Sequence, residues 1–185
     1  IDEWFCSPIA RFKNEKDFSL TNHCLQIKDE HSPAKNELIH SHYDTLAGYN
    51  IGADSKFYEL HSWVKECVNK FSMTYGSSPV FLDEVWFNVY EKGDALEFHN
   101  HQTCLFSCVY YLDVKDNDSK IYFNRSPFPM IEYKILEPGR LNYDQMWYQP
   151  INGLLLVFKS DTIHMVEKKV IDDIRISLSY NFKGV

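Results

Sequence analysis

The chain has 185 residues, 44% of them hydrophobic and 16% aromatic, with a formal net charge of −7. That length and composition fit one domain with a sizeable core and exclude an extended disordered chain. The acidic balance disfavours long nucleic acid and anionic membrane surfaces, and no apolar run approaches the roughly 20 residues of a membrane-spanning helix.

Five cysteines (Cys6, Cys24, Cys67, Cys104 and Cys108) form no C-x-x-C pair. An odd count without such pairs fits reduced thiols in a cytoplasmic protein better than a disulfide framework. Near the start, Trp4-Phe5-Cys6-Ser7-Pro8-Ile9 reads as a short extended segment closed by a proline bend. Gly48 to Gly52 reads as loop. Residues 54–74 read as one amphipathic helix, because Phe57, Leu60, Trp63, Val64, Cys67, Val68 and Phe71 recur at three- and four-residue spacing. Asp54 or Ser55 is its expected N-cap, and Gly76 lies just past its end.

From about residue 80 the pattern turns to strands. Val85 to Tyr90 alternates, with Trp86, Asn88 and Tyr90 on one side. Cys104 to Leu112 is a β-branched and aromatic run, in which Cys104 and Cys108 read as small core residues. Asp113 to Lys120 is a charged turn, Ile121 to Phe123 a short strand, and Leu154 to Phe158 an apolar strand after Gly153. Ile174 to Phe182 alternates most cleanly: Ile174, Ile176, Leu178, Tyr180 and Phe182 lie on one side, Arg175, Ser177, Ser179 and Asn181 on the other. Two readings of that polar side stand, one facing water and one facing a cavity. The expected architecture is a single domain, 1–185, in which residues 1–80 supply helical support and residues 81–185 form a mainly β core of sandwich or barrel type.

Within the β half, His99 and His101 are two residues apart, so on a strand they project together. His164 follows the apolar strand and the polar turn Lys159-Ser160-Asp161, a rim position from which a third imidazole can complete one face of a metal. Glu97 shares the parity of His99 and is a second candidate, as a ligand or as an acceptor orienting a histidine. Arg175, with Ser177 two residues on, offers a two-pronged donor to a carboxylate. The segment 124–150, rich in aromatic residues, is long for an inter-strand connection and reads as a lid or recognition loop.

Several motifs follow in order: Trp86-x-Asn88, His99-x-His101, Ser107 to Leu112, Gly153-x-Leu155-Leu156-x-Phe158, His164 and Arg175-x-Ser177-x-Ser179-x-Asn181. In this the chain resembles the 2-oxoglutarate and iron(II)-dependent oxygenase superfamily, and more narrowly the phage and bacterial oxygenases allied to prolyl 4-hydroxylases. The resemblance implies a double-stranded β-helix, the jelly-roll or cupin-like arrangement of two facing sheets with the metal between them. It implies Fe(II), 2-oxoglutarate and O2 as cofactors and cosubstrates, and His99 and His164 as iron ligands. The superfamily usually carries a carboxylate two residues after the first histidine, where this chain has His101. Three solutions follow: a three-histidine site, which the parity of His101 favours, a site using Glu97, or a site with two protein ligands. The resemblance further implies that Arg175 pairs with the distal carboxylate of 2-oxoglutarate beside Ser177, that Tyr111 contacts the same carboxylate, and that Tyr90 and Asn88 line the pocket.

The expected activity is hydroxylation of an unidentified organic substrate, peptidyl, prolyl or small, with release of succinate and CO2. Two alternatives remain: a three-histidine cupin-type metalloenzyme that needs no 2-oxoglutarate, and a non-catalytic β-sandwich binding module. The sequence leaves the oligomeric state open and gives no sign of a membrane or nucleic-acid partner.

Overall fold

The computed structural model describes residues 7–31, 42–43, 49–124, 136–137, 139 and 142–184. The elements are β1 (Ala10–Lys13), α1 (Thr21–Glu30), β2 (His42–Tyr43), α2 (Tyr58–Thr74), β3 (Val80–Tyr90), β4 (Leu96–His99), β5 (Phe106–Asp113), β6 (Ile121–Asn124), β7 (Gln145–Tyr148), β8 (Leu154–Lys159), β9 (Ile163–Val166) and β10 (Arg175–Gly184). A six-stranded sheet runs β1-β8-β5-β10-β3-β2 and a four-stranded sheet runs β4-β9-β6-β7. The pairs are antiparallel throughout, and the two facing sheets make the double-stranded β-helix.

The long helix forms for the reasons its sequence gives. Short 3-10 turns precede it at Ile51–Ala53 and Ser55–Phe57, and the Asp54 side chain accepts the Lys56 N–H at 2.9 Å. The α-helix proper therefore begins at Tyr58, four residues later than the periodicity suggests, and the loop expected at 48–52 ends in a helical turn. At the other end Gly76 takes φ +68°; Ser77 N–H reaches Ser72 C=O and Gly76 N–H reaches Met73 C=O, both at 3.0 Å. This is a Schellman closure, which a left-handed glycine makes without a Cβ penalty.

Two apolar cores result. Leu60, Val64, Cys67, Val68 and Phe71 of α2, with Cys24 and Ile27 of α1, cover the outer face of the large sheet, against Phe87, Cys108, Tyr110, Val157, Leu178 and Tyr180 among others. Each fully buried large side chain there contributes roughly 1.5–3 kcal/mol. A second core between the sheets holds Tyr111, Val114, Ile121, Phe123, Leu154, Leu156 and Phe158. Strand β10 lies at the centre, paired with β3 on one side and β5 on the other.

Cys108 is buried in the outer core as expected, whereas Cys104 is not a core residue. Strand β5 begins only at Phe106, so Cys104 sits half-exposed in the preceding turn, with its Sγ 3.8 Å from Asp83. Segment 124–150 is not one open loop: residues 145–148 form β7, paired with β6. The rest of the lid reading, together with Trp4-Phe5, falls largely outside the described residues. Among the described residues no helix is long and apolar enough to cross a membrane.

Gly153 opens β8 at φ +76°, donating to Tyr111 C=O at 2.8 Å and accepting from Asn14 N–H at 2.9 Å. A Cβ at this position would stand 2.1 Å from the Asn14 carbonyl oxygen, a backbone atom that cannot swing away. Gly153→Ala is expected to destabilise the fold by about 1–3 kcal/mol, read as a lower urea midpoint.

Candidate active site

Register, more than any single motif, assembles the site. On the inner face of the large sheet Arg175 lies opposite Tyr90; Ser177 lies opposite Asn88 on one side and Tyr111 on the other; Ser179 lies opposite Trp86. On the small sheet His99 lies opposite His164, and His164 opposite Phe123. The polar side of β10 thus faces a cavity rather than water. That cavity, about 280 Å³ between the sheets, is lined by all eight residues singled out from the sequence: Asn88, Tyr90, His99, His101, Tyr111, His164, Arg175 and Ser177.

His99, His101 and His164 form a cluster whose candidate ligand atoms all lie within 4.8 Å of one another. Ring centroids are 4.2 Å apart for His99–His164, 5.1 Å for His99–His101 and 5.3 Å for His101–His164. His99 Nδ1 lies 2.8 Å from the Glu97 carbonyl and His164 Nδ1 lies 2.9 Å from the Thr162 carbonyl. A carbonyl only accepts, so each Nδ1 carries the proton and each Nε2 keeps its lone pair for a metal. Glu97 therefore serves through its backbone, and its side chain is exposed.

His101 is off the strand, because β4 ends at His99. Its position is set instead by its N–H, which donates to Ser160 C=O at 2.7 Å, and by the Trp86 ring at 5.9 Å. His164 is not at a rim: it is on β9 and only 5% exposed. Burial lowers the pKa of all three rings, His101 to about 4 and His164 to about 3, with the neighbouring imidazoles adding to the effect for both. Neutral imidazoles are the ligating form, so the cluster suits a divalent metal that takes nitrogen donors.

Arg175 is 1% exposed. Its Nη1 donates to Ser119 Oγ at 2.7 Å and Ser119 C=O at 3.0 Å, and its guanidinium lies 3.8 Å from the Tyr90 ring centroid. Among the described residues its buried Nε has no hydrogen-bond partner. A buried unpaired donor on a cation in a cavity wall is costly unless a ligand satisfies it, and a carboxylate does so with charge-assisted geometry. Tyr111 and Tyr90 have phenols raised in pKa by burial, which keeps both protonated as donors. Behind Arg175, Asp118 and Lys169 form a fully buried ion pair. The sequence reading did not single out Asp118, Ser119 or Lys169: two sit in what looks like a solvated charged turn, and no local spacing links them to a lysine some fifty residues on.

Two outcomes check this geometry. His101→Ala is expected to weaken Fe(II) binding at least about tenfold in an anaerobic metal titration, while Glu97→Gln leaves it unchanged; the reverse order would make Glu97 the ligand. In the metal-free protein burial holds the pKa of all three rings below the 6.5 of the unfolded chain's histidines, His101 at about 4 and His164 at about 3. The unfolded state then binds more protons below 6.5, so stability falls as pH falls from about 6.5 toward 4. Urea midpoints of His164→Phe should lose part of that slope relative to wild type.

Comparison with known proteins agrees with this geometry. Residues 84–181 match the family model described as "Putative 2OG-Fe(II) oxygenase". No curated protein matches in sequence. Among solved structures, a prolyl-4-hydroxylase from Pseudomonas putida superposes with a TM-score of 0.62 at 16% identity, over 97% of this chain and 94% of that one. The collagen prolyl hydroxylase of Paramecium bursaria Chlorella virus-1, in complex with 2OG, gives 0.63 at 11% identity over 96% of each chain. HygX from Streptomyces hygroscopicus, with nickel and 2-oxoglutarate bound, gives 0.59 at 10% identity over 97% of this chain and 83% of that one. At such identities these likenesses speak for the fold, and the family match covers more than half of the chain, including the histidine cluster and Arg175. The chain belongs to this family of 2OG-Fe(II) oxygenases, whose members pair iron(II) with 2-oxoglutarate.

Proposed function

We propose that the protein is an Fe(II)- and 2-oxoglutarate-dependent dioxygenase that hydroxylates an organic substrate. The observation that carries this reading is the buried Arg175, with its unpaired Nε, in the wall of the same cavity as three neutral imidazoles. The residues fit the group the family implies: nitrogen donors for the metal at one place and a carboxylate anchor at another, in a cavity of about 280 Å³. Iron(II) with a bound keto acid supplies the oxidising power by which one oxygen atom of O2 enters a substrate C–H bond and the other enters succinate, with loss of CO2.

The chain's own residues prepare and confine that chemistry. His99, His101 and His164 hold the metal, the first and last aimed by the Glu97 and Thr162 carbonyls. Arg175 takes the distal carboxylate of 2-oxoglutarate as a charge-assisted pair, and the hydroxyls of Ser177 and Tyr111, register neighbours on β10 and β5, stand ready to donate beside it. Tyr90 supports the guanidinium through its ring face. Asn88, opposite Ser177, keeps the inner wall polar, while Leu96, Ile121, Phe158 and Val166 supply apolar walls that exclude water.

Anaerobic titration of iron(II)-loaded protein with 2-oxoglutarate tests the reading. A visible charge-transfer band that saturates in wild type, and that needs at least about tenfold more ligand in Arg175→Ala, is the expected result. Iron binding without a band would favour a three-histidine metalloenzyme independent of 2-oxoglutarate. Absence of iron binding would favour a binding module.

A further inference from the structure

Lys169 and Asp118 have no role in the site as described so far. Both side chains are 0% exposed, and Lys169 Nζ lies 2.8 Å from Asp118 Oδ2. The other carboxylate oxygen, Oδ1, accepts from Ser119 N–H at 2.7 Å and Ser119 Oγ at 3.2 Å, and lies 3.8 Å from Arg175 Nη1. Ser119 Oγ in turn accepts from Arg175 Nη1 at 2.7 Å. Asp118 is thus shared by two buried cations, directly on one side and through a serine hydroxyl on the other. Its loop is fixed by Gln149, whose side chain donates to Asp118 C=O at 2.7 Å. Lys169 is fixed through its backbone, which exchanges two hydrogen bonds of 2.8 Å with Gly93 and Asp94 in the β3–β4 turn.

Burying three charges is expensive, and ion pairs of this kind are often no more stable than apolar replacements. Among the described residues the arrangement also does not balance: two cations face one carboxylate, which leaves one positive charge out of water. Arg175 lines the cavity, so its guanidinium is the place where that excess meets a ligand. Were Lys169 absent, Asp118 would be left to pair with Arg175 alone, and the excess would vanish.

We propose that Asp118 and Lys169 are positioning residues: Lys169 holds the Asp118 carboxylate away from Arg175, so that the guanidinium keeps a free edge and a net positive charge for the anionic end of the cosubstrate. This rests on the reading of the cavity as a 2-oxoglutarate site. In it Lys169 acts at a distance, touching neither metal nor ligand, and selects for a distal carboxylate rather than for the keto-acid end.

The test compares two keto acids on iron(II)-loaded protein without oxygen: 2-oxoglutarate, and 2-oxobutyrate, which has the same metal-binding end and no distal carboxylate. Lys169→Met is expected to weaken 2-oxoglutarate about tenfold or more while leaving 2-oxobutyrate within about threefold of wild type. The double variant Lys169→Met/Asp118→Asn removes one charge of each sign, restores the single excess cation and should recover the preference for 2-oxoglutarate to within about threefold of wild type. An unaltered preference in Lys169→Met overturns the proposal, as does an equal loss for both ligands, the mark of a purely structural role. If the single variant does not fold, the double variant decides: a retained preference supports the proposal and a lost one overturns it. Failure of wild type to bind either keto acid would overturn the cosubstrate reading itself, a result distinct from a wild-type preference that Lys169 does not influence.

Discussion

Strand β10 is buried on both faces, and the rest of the structure follows from that constraint. Its apolar side, Ile176, Leu178, Tyr180 and Phe182, belongs to the core beneath the helices. Its other side carries Arg175, Ser177, Ser179 and Asn181 between two sheets, where unpaired polar groups are costly. Most of that demand is met internally. Asn181 accepts from Ser107 Oγ at 2.7 Å and donates to Glu84 at 2.9 Å. Ser107 has one proton, already given to Asn181, so Ser160 Oγ, at 2.8 Å, is the donor to Ser107. The chain of hydrogen bonds runs one way, from the turn that fixes His101 to a carboxylate near the surface. Among the described residues Arg175 Nε has no partner on this face, and Arg175 lines the cavity.

Electrostatics divides the cavity's two tasks. Around the histidines the dominant effect is desolvation, which lowers the pKa of all three imidazoles, His101 to about 4 and His164 to about 3. Around Arg175 the surroundings partly offset a buried positive charge instead. Ser119, Asp118 and the Tyr90 ring do so. One site is built from groups that burial makes neutral, the other from a cation whose charge its neighbours partly offset.

Period-two patterning made much of this legible in the sequence. The parity of β10 put Arg175 and Ser177 on one side, and that of Val85 to Tyr90 put Trp86, Asn88 and Tyr90 on another, and both sets line the cavity. The ordered motifs that resembled the oxygenase superfamily gave the fold class and the separated histidine His164. Short strands left a weaker trace. Strands β4, β7 and β9 have four residues each, too few for alternation to stand out, so His164 looked like a rim residue and residues 145–148 like loop. Strand β4 also carries a register shift between Leu96 and His99, which breaks the parity on which Glu97 was judged. His101 joins the cluster although it is off the strand, held by a backbone contact to Ser160 that no side-chain pattern announces. The ion pair of Asp118 and Lys169 was hidden for a related reason: a charged residue in a charged turn reads as solvated, and only tertiary packing buries it.

The replacement of the family's usual carboxylate by His101 changes the charge of the proposed metal site rather than its donor count. Three neutral imidazoles leave a divalent ion's charge intact, where two imidazoles and a carboxylate would halve it. A dianionic cosubstrate then puts one negative charge at the metal and the other at the excess cation of Arg175, so the proposed metal site keeps one positive charge where a carboxylate ligand would have left it neutral. A buried site with excess positive charge attracts an anionic ligand, and the weak screening of a low-dielectric cavity strengthens that attraction. Seen this way, the low-dielectric walls, the histidine at position 101 and the unbalanced charge behind Arg175 are consistent with one another, since each favours a ligand carrying two negative charges over water or a neutral guest.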